Sequence, residues 1–201
     1  MQHNSKIIPS LKISVPFGKI KFFTTILQSG ILLPCQTHTP LGVFLDSLPD
    51  FDIVYISERI QTIFLDGNAL DDLQQPLSNP RHVVALSAAM PGLAGAIFRR
   101  NSMCAALRTR SSQTAPLESA EETMVHLKLF NMIAQEKGAG ILAMGGYFTG
   151  ENLQDFLGRR PSLLQSISSI ELDSQPLQPD IFLSRLLGNA QYHLRILGKD
   201  I

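Results

Sequence analysis

Apolar residues fall along this chain in short alternating runs and a few helical stripes. In a strand, residues i and i+2 share a face, whereas in a helix i, i+3 and i+4 do. The clearest helical stripe is Leu41, Phe44, Leu45 and Leu48. Thr39 and Pro40 precede it as N-cap and first helical residue, and Pro49 closes it. A second stripe, Leu153, Phe156 and Leu157, follows a capping Thr149. It ends on Arg159-Arg160, whose charges suit a helix C-terminus, before Pro161. "IFLSRLLG" reads as a short helix capped by Asp180 and ended by Gly188.

Strands are expected where β-branched and aromatic residues concentrate between turn signals. These runs are "KIKFFTTIL" with "ILLP" as a hairpin across "QSG", then "DIVYI", "IQTIFLDG" and "HVVALSA". In the second half they are "MVHLKLFNMI", "ILAMGGYF" after a "QEKGAG" turn, "SISSIELD" and "QYHLRIL". Between Arg99 and Thr123 large apolar residues thin out and Arg, Ser, Thr and Ala dominate, as in a linker. The expected organisation is a loose segment over 1–18, a domain over 19–98, a linker over 99–123 and a second domain over 124–201.

The halves echo one another. "IKFF" at Ile20 matches "LKLF" at Leu127. The stripe Leu41-x-x-Phe44-Leu45 matches Leu153-x-x-Phe156-Leu157. Ile63-x-Leu65-Asp66-x-x-x-Leu70 matches Ile170-x-Leu172-Asp173-x-x-x-Leu177. The same expected element stands at each place in the same order, which favours duplication of a small domain. In both phrases Ile and Leu should face a core while Asp opens a turn.

The order hairpin, helix, strand, turn-rich segment, strand resembles the β-grasp, or ubiquitin-like, fold. The first half is most similar to the small sulfur carriers of molybdopterin and thiamine biosynthesis, through "KIKFF", "PLGVFLDSLP", "IFLDGNALDDLQQPL" and "HVVALSAAMPGLAGA". The resemblance implies an α+β fold of two β-grasp-like halves, each with a hairpin, a helix and further mixed strands. It does not imply carrier chemistry. Those carriers react through a C-terminal Gly-Gly carboxylate, whereas here the matching "GLAG", Gly92 to Gly95, lies far from the end of the sequence.

Composition narrows the function. Hydrophobic residues make up 44% of 201 and charged residues 17%, below the usual quarter. A sizeable core is expected, with apolar surface left for self-association. Seventeen basic residues balance seventeen acidic ones, so no global field draws nucleic acid or an anionic membrane. Pro9, Lys12 and Pro16 interrupt any apolar leader, and Val83 to Phe98 is too short to span a bilayer. The expectation is a cytoplasmic, soluble protein with no membrane partner and no nucleic acid.

Candidate chemistry is sparse. In "AAMPGLAGA", small residues permit close backbone approach, which makes Met90, Pro91, Gly92 and Gly95 a candidate ligand or partner loop. Arg99, Arg100, Arg108 and Arg110 could grip an anion, but no aromatic residue interleaves with them. His38, His82, His126 and His193 show no metal-ligand spacing, and Cys35 and Cys104 sit in unlike contexts. Cys35 and His38 form a conceivable reactive pair. Asp46, Asp50, Asp52, Asp66, Asp71 and Asp72 fall at helix ends and turns, where Asp bonds to local backbone. No cofactor or metal is expected. The reading is a non-enzymatic binding or scaffold module whose partner is another protein or a second copy. The rivals are a subunit or enzyme of cofactor or sulfur metabolism, and an RNA- or anion-binding protein using those arginines.

Overall fold

The computed structural model describes residues 8–90, 92–104, 108 and 121–199. It is an α+β protein that divides into two compact units, one of residues 25–141 and one of 1–24 with 142–201. These groupings cut across the stretches 19–98 and 124–201 because of how two strands pair. β1 (Ser10–Pro16) pairs with late strands, and β6 (Glu122–Phe130) pairs with early ones.

The 25–141 unit holds β2 (Ile31–Gln36), α2 (Leu41–Asp46), α3 (Ile53–Glu58), β3 (Thr62–Leu65), β4 (Asn68–Ala69), β5 (Arg81–Ser87), α4 (Gly92–Phe98) and β6. Its strand order is β4-β3-β5-β6-β2. Only β5 and β6 run parallel, with Arg81 opposite Met124 and Ser87 opposite Phe130. Alternation sends Val84, Leu86, Val125, Leu127 and Leu129 into the core with Leu41, Phe44, Leu45 and Ile56 of α2 and α3. The other face carries Val83, Ala85, His126, Lys128 and Phe130, all half-buried. α5 (Asn131–Met144) leaves the end of β6.

The other unit holds β1, α1 (Ile20–Phe23) flanked by 3-10 turns, β7 (Gly146–Thr149), α6 (Gly150–Gly158), α7 (Pro161–Gln165), β8 (Ser169–Leu172), β9 (Gln175–Leu177), α8 (Pro179–Arg185) and β10 (Gln191–Lys199). Its order is β7-β10-β1-β8-β9, with β1 and β10 parallel and the other neighbours antiparallel. Counted inward from the terminal hairpin, both units therefore run antiparallel, antiparallel, parallel, antiparallel. The strand beside the hairpin is β5 in one unit and β1 in the other.

Several expectations are corrected. Residues 10–16 are not a loose terminus: Leu11, Ile13 and Val15 are wholly buried in β1. "KIKFFTTIL" is helical, because Ile20, Phe23 and Leu27 recur at helical spacing and are buried. The opening hairpin therefore does not form, and β2 pairs with β6. "DIVYI" is not a strand but α3, whose start is fixed by Asp52 accepting the Tyr55 N–H at 2.7 Å. "QEKGAG" is not a turn but the middle of α5. Asp180 lies in the first turn of α8, whose N-cap is Gln178. The capping of α6 by Thr149 stands as expected.

Candidate apolar cleft at the ends of two parallel strands

Because β5 and β6 are parallel, their C-terminal ends lie side by side, the position at which open sheets commonly take ligands. A cleft of about 400 Å³ opens there, lined by Phe64, Ala85, Leu86, Ser87, Met90, Phe130 and Asn131. Phe64 comes from β3, and its ring packs against Phe98 of α4 at 5.3 Å between centroids. Ser87 Oγ donates to the Ala89 carbonyl at 3.2 Å. Asn131 Nδ2 lies 3.5 Å from both Ser87 Oγ and the Ala89 carbonyl oxygen. The lining is apolar except for this small polar rim, and none of these residues carries a charge.

Two backbone features hold the rim. Asn131 sits at the strand-to-helix junction with φ 52°, a left-handed conformation that Asn tolerates better than most residues. Such outliers concentrate at ligand clamps and switch sites. Gly95 is buried in α4, where an added Cβ would lie 1.7 Å from the Met90 carbonyl oxygen. Glycine at 95 therefore lets α4 lie close against the backbone of Met90, a residue that lines the cleft.

The candidate loop is thus partly placed. Met90 lines the cleft, Gly95 braces it, and Gly92 begins α4 with φ 69° and open space around it. Pro91 lies outside the described residues. The stretch Gly92 to Gly95 belongs to a helix and not to an extended tail.

The arginines divide. Arg100 donates through NH1 to the Ile56 carbonyl at 2.9 Å, and burial pushes its guanidinium pKa down. Arg108 donates to the carbonyls of Ile97 and Arg99 and to Asp71 Oδ2, the last at 2.7 Å. Arg99 is exposed. Arg110 lies outside the described residues, as do 105–107 and most of the expected linker, 109–120.

Other polar groups serve the scaffold. His82 is buried, with Nδ1 at 2.7 Å from Asp66 Oδ2 and Nε2 accepting the Asn79 N–H at 3.0 Å. Both ring nitrogens are occupied, so this Asp–His pair offers no vacant nitrogen for proton transfer. Tyr55 donates to Glu136 Oε2 at 2.8 Å, Arg59 pairs with the same carboxylate, and Lys137 lies 4.0 Å above the Tyr55 ring. Burial, then the Glu136 hydrogen bond, drives the Tyr55 phenol pKa up. The Arg59 hydrogen bond holds the Glu136 carboxyl below its usual range. Cys35 donates to the Gln36 carbonyl while His38 pairs with Ser78, and both cysteines are free. Among the described residues no three metal-ligating side chains cluster, and no helix is long and apolar enough to cross a membrane.

Phe64, Phe130 and Asn131 escaped the sequence reading. The available signal was a broken alternation: in "VHLKLFN" the outward series His126, Lys128 ends on Phe130. Compared with family models, with curated proteins and with solved structures, the chain matches none.

Proposed function

We propose that this is a binding module that recognises a protein partner by taking one of its apolar side chains into the cleft at the ends of β5 and β6. The carrying observation is the lining itself: aromatic and aliphatic walls from Phe64, Met90 and Phe130, with only Ser87 and Asn131 to orient what enters. A volume of about 400 Å³ suits one anchoring side chain and its neighbours, or a small ligand. An uncharged lining favours binding over acid–base chemistry.

The rival readings draw less support. A carrier tail needs an extended, accessible glycine end, and Gly95 is packed in a helix. Among the described arginines of that group, Arg99 is the exposed one, since Arg100 and Arg108 donate to internal acceptors.

Duplication of 19–98 as 124–201, with a β-grasp relationship, belongs to the same reading. The two like hairpins at Asp66 and Asp173 support it, whereas the match of Ile20–Phe23 to Leu127–Phe130 does not, since one is helical and the other lies in β6. A superposition of the two sheets that leaves Asp66 and Asp173 unaligned would overturn it.

The binding test is selection of displayed random peptides on the whole chain. Selected peptides should share a large apolar anchor and lose at least roughly tenfold in affinity for Ala85→Leu, which fills the cleft. Peptides that bind Ala85→Leu equally well would place the binding surface elsewhere.

A further inference from the structure

The turn and short helix after β1 display an unusual surface. Phe17 is 68% exposed and Phe22 46% exposed, while Phe23 beside them is buried against Phe156. Lys19 and Lys21 place their ammonium groups 5.8 and 5.2 Å from the centroid of the Phe22 ring. Lys199 adds a third positive charge, because β1 and β10 pair with Pro16 opposite Lys199. Phe17 leans on the same strand: an added Cβ at Gly198 would lie 3.1 Å from its Cδ2. Among the described residues no carboxylate pairs with Lys19, Lys21 or Lys199, whereas nearby Lys12 is paired with Glu171.

We propose that this basic, aromatic surface, formed by Phe17, Lys19, Lys21, Phe22 and Lys199, docks the protein onto the face of an anionic lipid bilayer. Two apolar rings flanked by ammonium groups match the two layers of such a surface. Phe17, the more exposed ring, reaches the acyl boundary, while Phe22, with the Lys19 and Lys21 ammonium groups over its face, stays with them among the anionic headgroups. Single-stranded nucleic acid, the other anionic partner with apolar faces, fits less well. Base stacking needs a vacant ring face, and the Lys19 and Lys21 ammonium groups already stand over Phe22. No crossing of the bilayer is involved, and two rings with three charges make a reversible attachment.

The test is flotation of the full chain with vesicles of phosphatidylcholine, with and without phosphatidylserine, at low and high salt. Binding is expected only with phosphatidylserine and should fall with added salt. Each lysine removed should weaken it roughly fivefold, so Lys19→Gln with Lys21→Gln loses more than about tenfold. Phe17→Ser tests the apolar part at an exposed position, and an unchanged melting temperature shows that each variant is folded. The proposal is overturned by no binding to phosphatidylserine vesicles at low salt. It is equally overturned if both variants bind as well as the parent, or if a labelled oligouridylate binds through these residues while vesicles do not.

Discussion

Asp66 grips both backbone groups of Val83. Its Oδ1 accepts the Val83 N–H at 2.8 Å, and its own N–H donates to the Val83 carbonyl at 2.9 Å. Asp173 grips Ser10 in the same way, at 2.8 Å for each bond. Each Asp opens a two-residue hairpin turn with both residues at positive φ, 51° and 82° at Asp66-Gly67, 50° and 65° at Asp173-Ser174. Positive φ at both positions defines a type I′ turn, whose twist suits a hairpin. The carboxylate then points across to the neighbouring strand and fixes its register. The repeated phrases are thus the same corner built twice, with Asp as a clasp.

The clasps differ in cost when broken. Asp66→Ala strands the buried His82 Nδ1–H as well as the Val83 N–H, so it should lower stability by about 1–3 kcal/mol, discounted for the partial exposure of Asp66. Asp173→Ala removes one backbone bond at an exposed site and should cost about 1 kcal/mol. Urea unfolding of both variants measures the difference, and equal losses would remove His82 from the account.

The second turn residue offers a gain. Ser174 holds φ 65° where the equivalent position in the other unit is Gly67. Ser174→Gly should stabilise by about 0.5–1 kcal/mol by removing left-handed strain. Gly67→Ala meets no atom within 4 Å, so its cost of about 1 kcal/mol comes from backbone conformation alone. Thermal unfolding of the two variants should shift in opposite directions.

Stability should also fall in mild acid. His126 packs against Gly30, where an added Cβ would lie 2.1 Å from its Nε2. Burial first, then the charges of Lys128 and Arg81, push its pKa below the usual value. The unfolded chain then binds a proton at His126 that the folded chain refuses. Stability is therefore full above about pH 6.5 and declines as pH falls from there toward the lowered folded value. Urea midpoints across this range should show the decline, and His126→Gln should flatten it.

Gly95 lies close against the backbone of Met90, which lines the cleft. In a helix interior, Gly→Ala usually gains about 1 kcal/mol of propensity. Here the added Cβ would stand 1.7 Å from the Met90 carbonyl oxygen, a backbone atom that cannot swing aside. The overlap outweighs propensity, so Gly95→Ala should destabilise and weaken peptide binding together. A stabilised Gly95→Ala with intact binding would show that α4 does not brace the cleft.

Much of this architecture was legible where one period dominated. The stripe Leu41, Phe44, Leu45 announced α2, and alternation announced β5, β6 and β10. Errors arose where composition and spacing disagreed. "KIKFFTTIL" has strand-like residues but helical spacing, and its packing follows the spacing. The glycines of "QEKGAG" suggested a turn. Gly140 instead brings α5 close to Pro49, whose Cβ would be 3.1 Å from an added one, so the glycine serves packing inside a helix. The cleft was largely hidden, because it is assembled from β3, β5 and β6 and depends on the parallel pairing of strands far apart in sequence. The local signals were the small-residue run at Met90, Pro91, Gly92 and Gly95 and the break in alternation at Phe130.

The cleft is tested most directly by its own methionine. With methyl-labelled methionine, the whole chain is titrated with a peptide selected on it, and the methyl resonances are followed. Met90 lines the cleft, while Met103 is fully exposed and Met132 lies 45% exposed on α5. The Met90 resonance should shift saturably, with Met103 and Met132 unmoved and the shift abolished by Ala85→Leu. A bound peptide that leaves Met90 unmoved would overturn binding in the cleft.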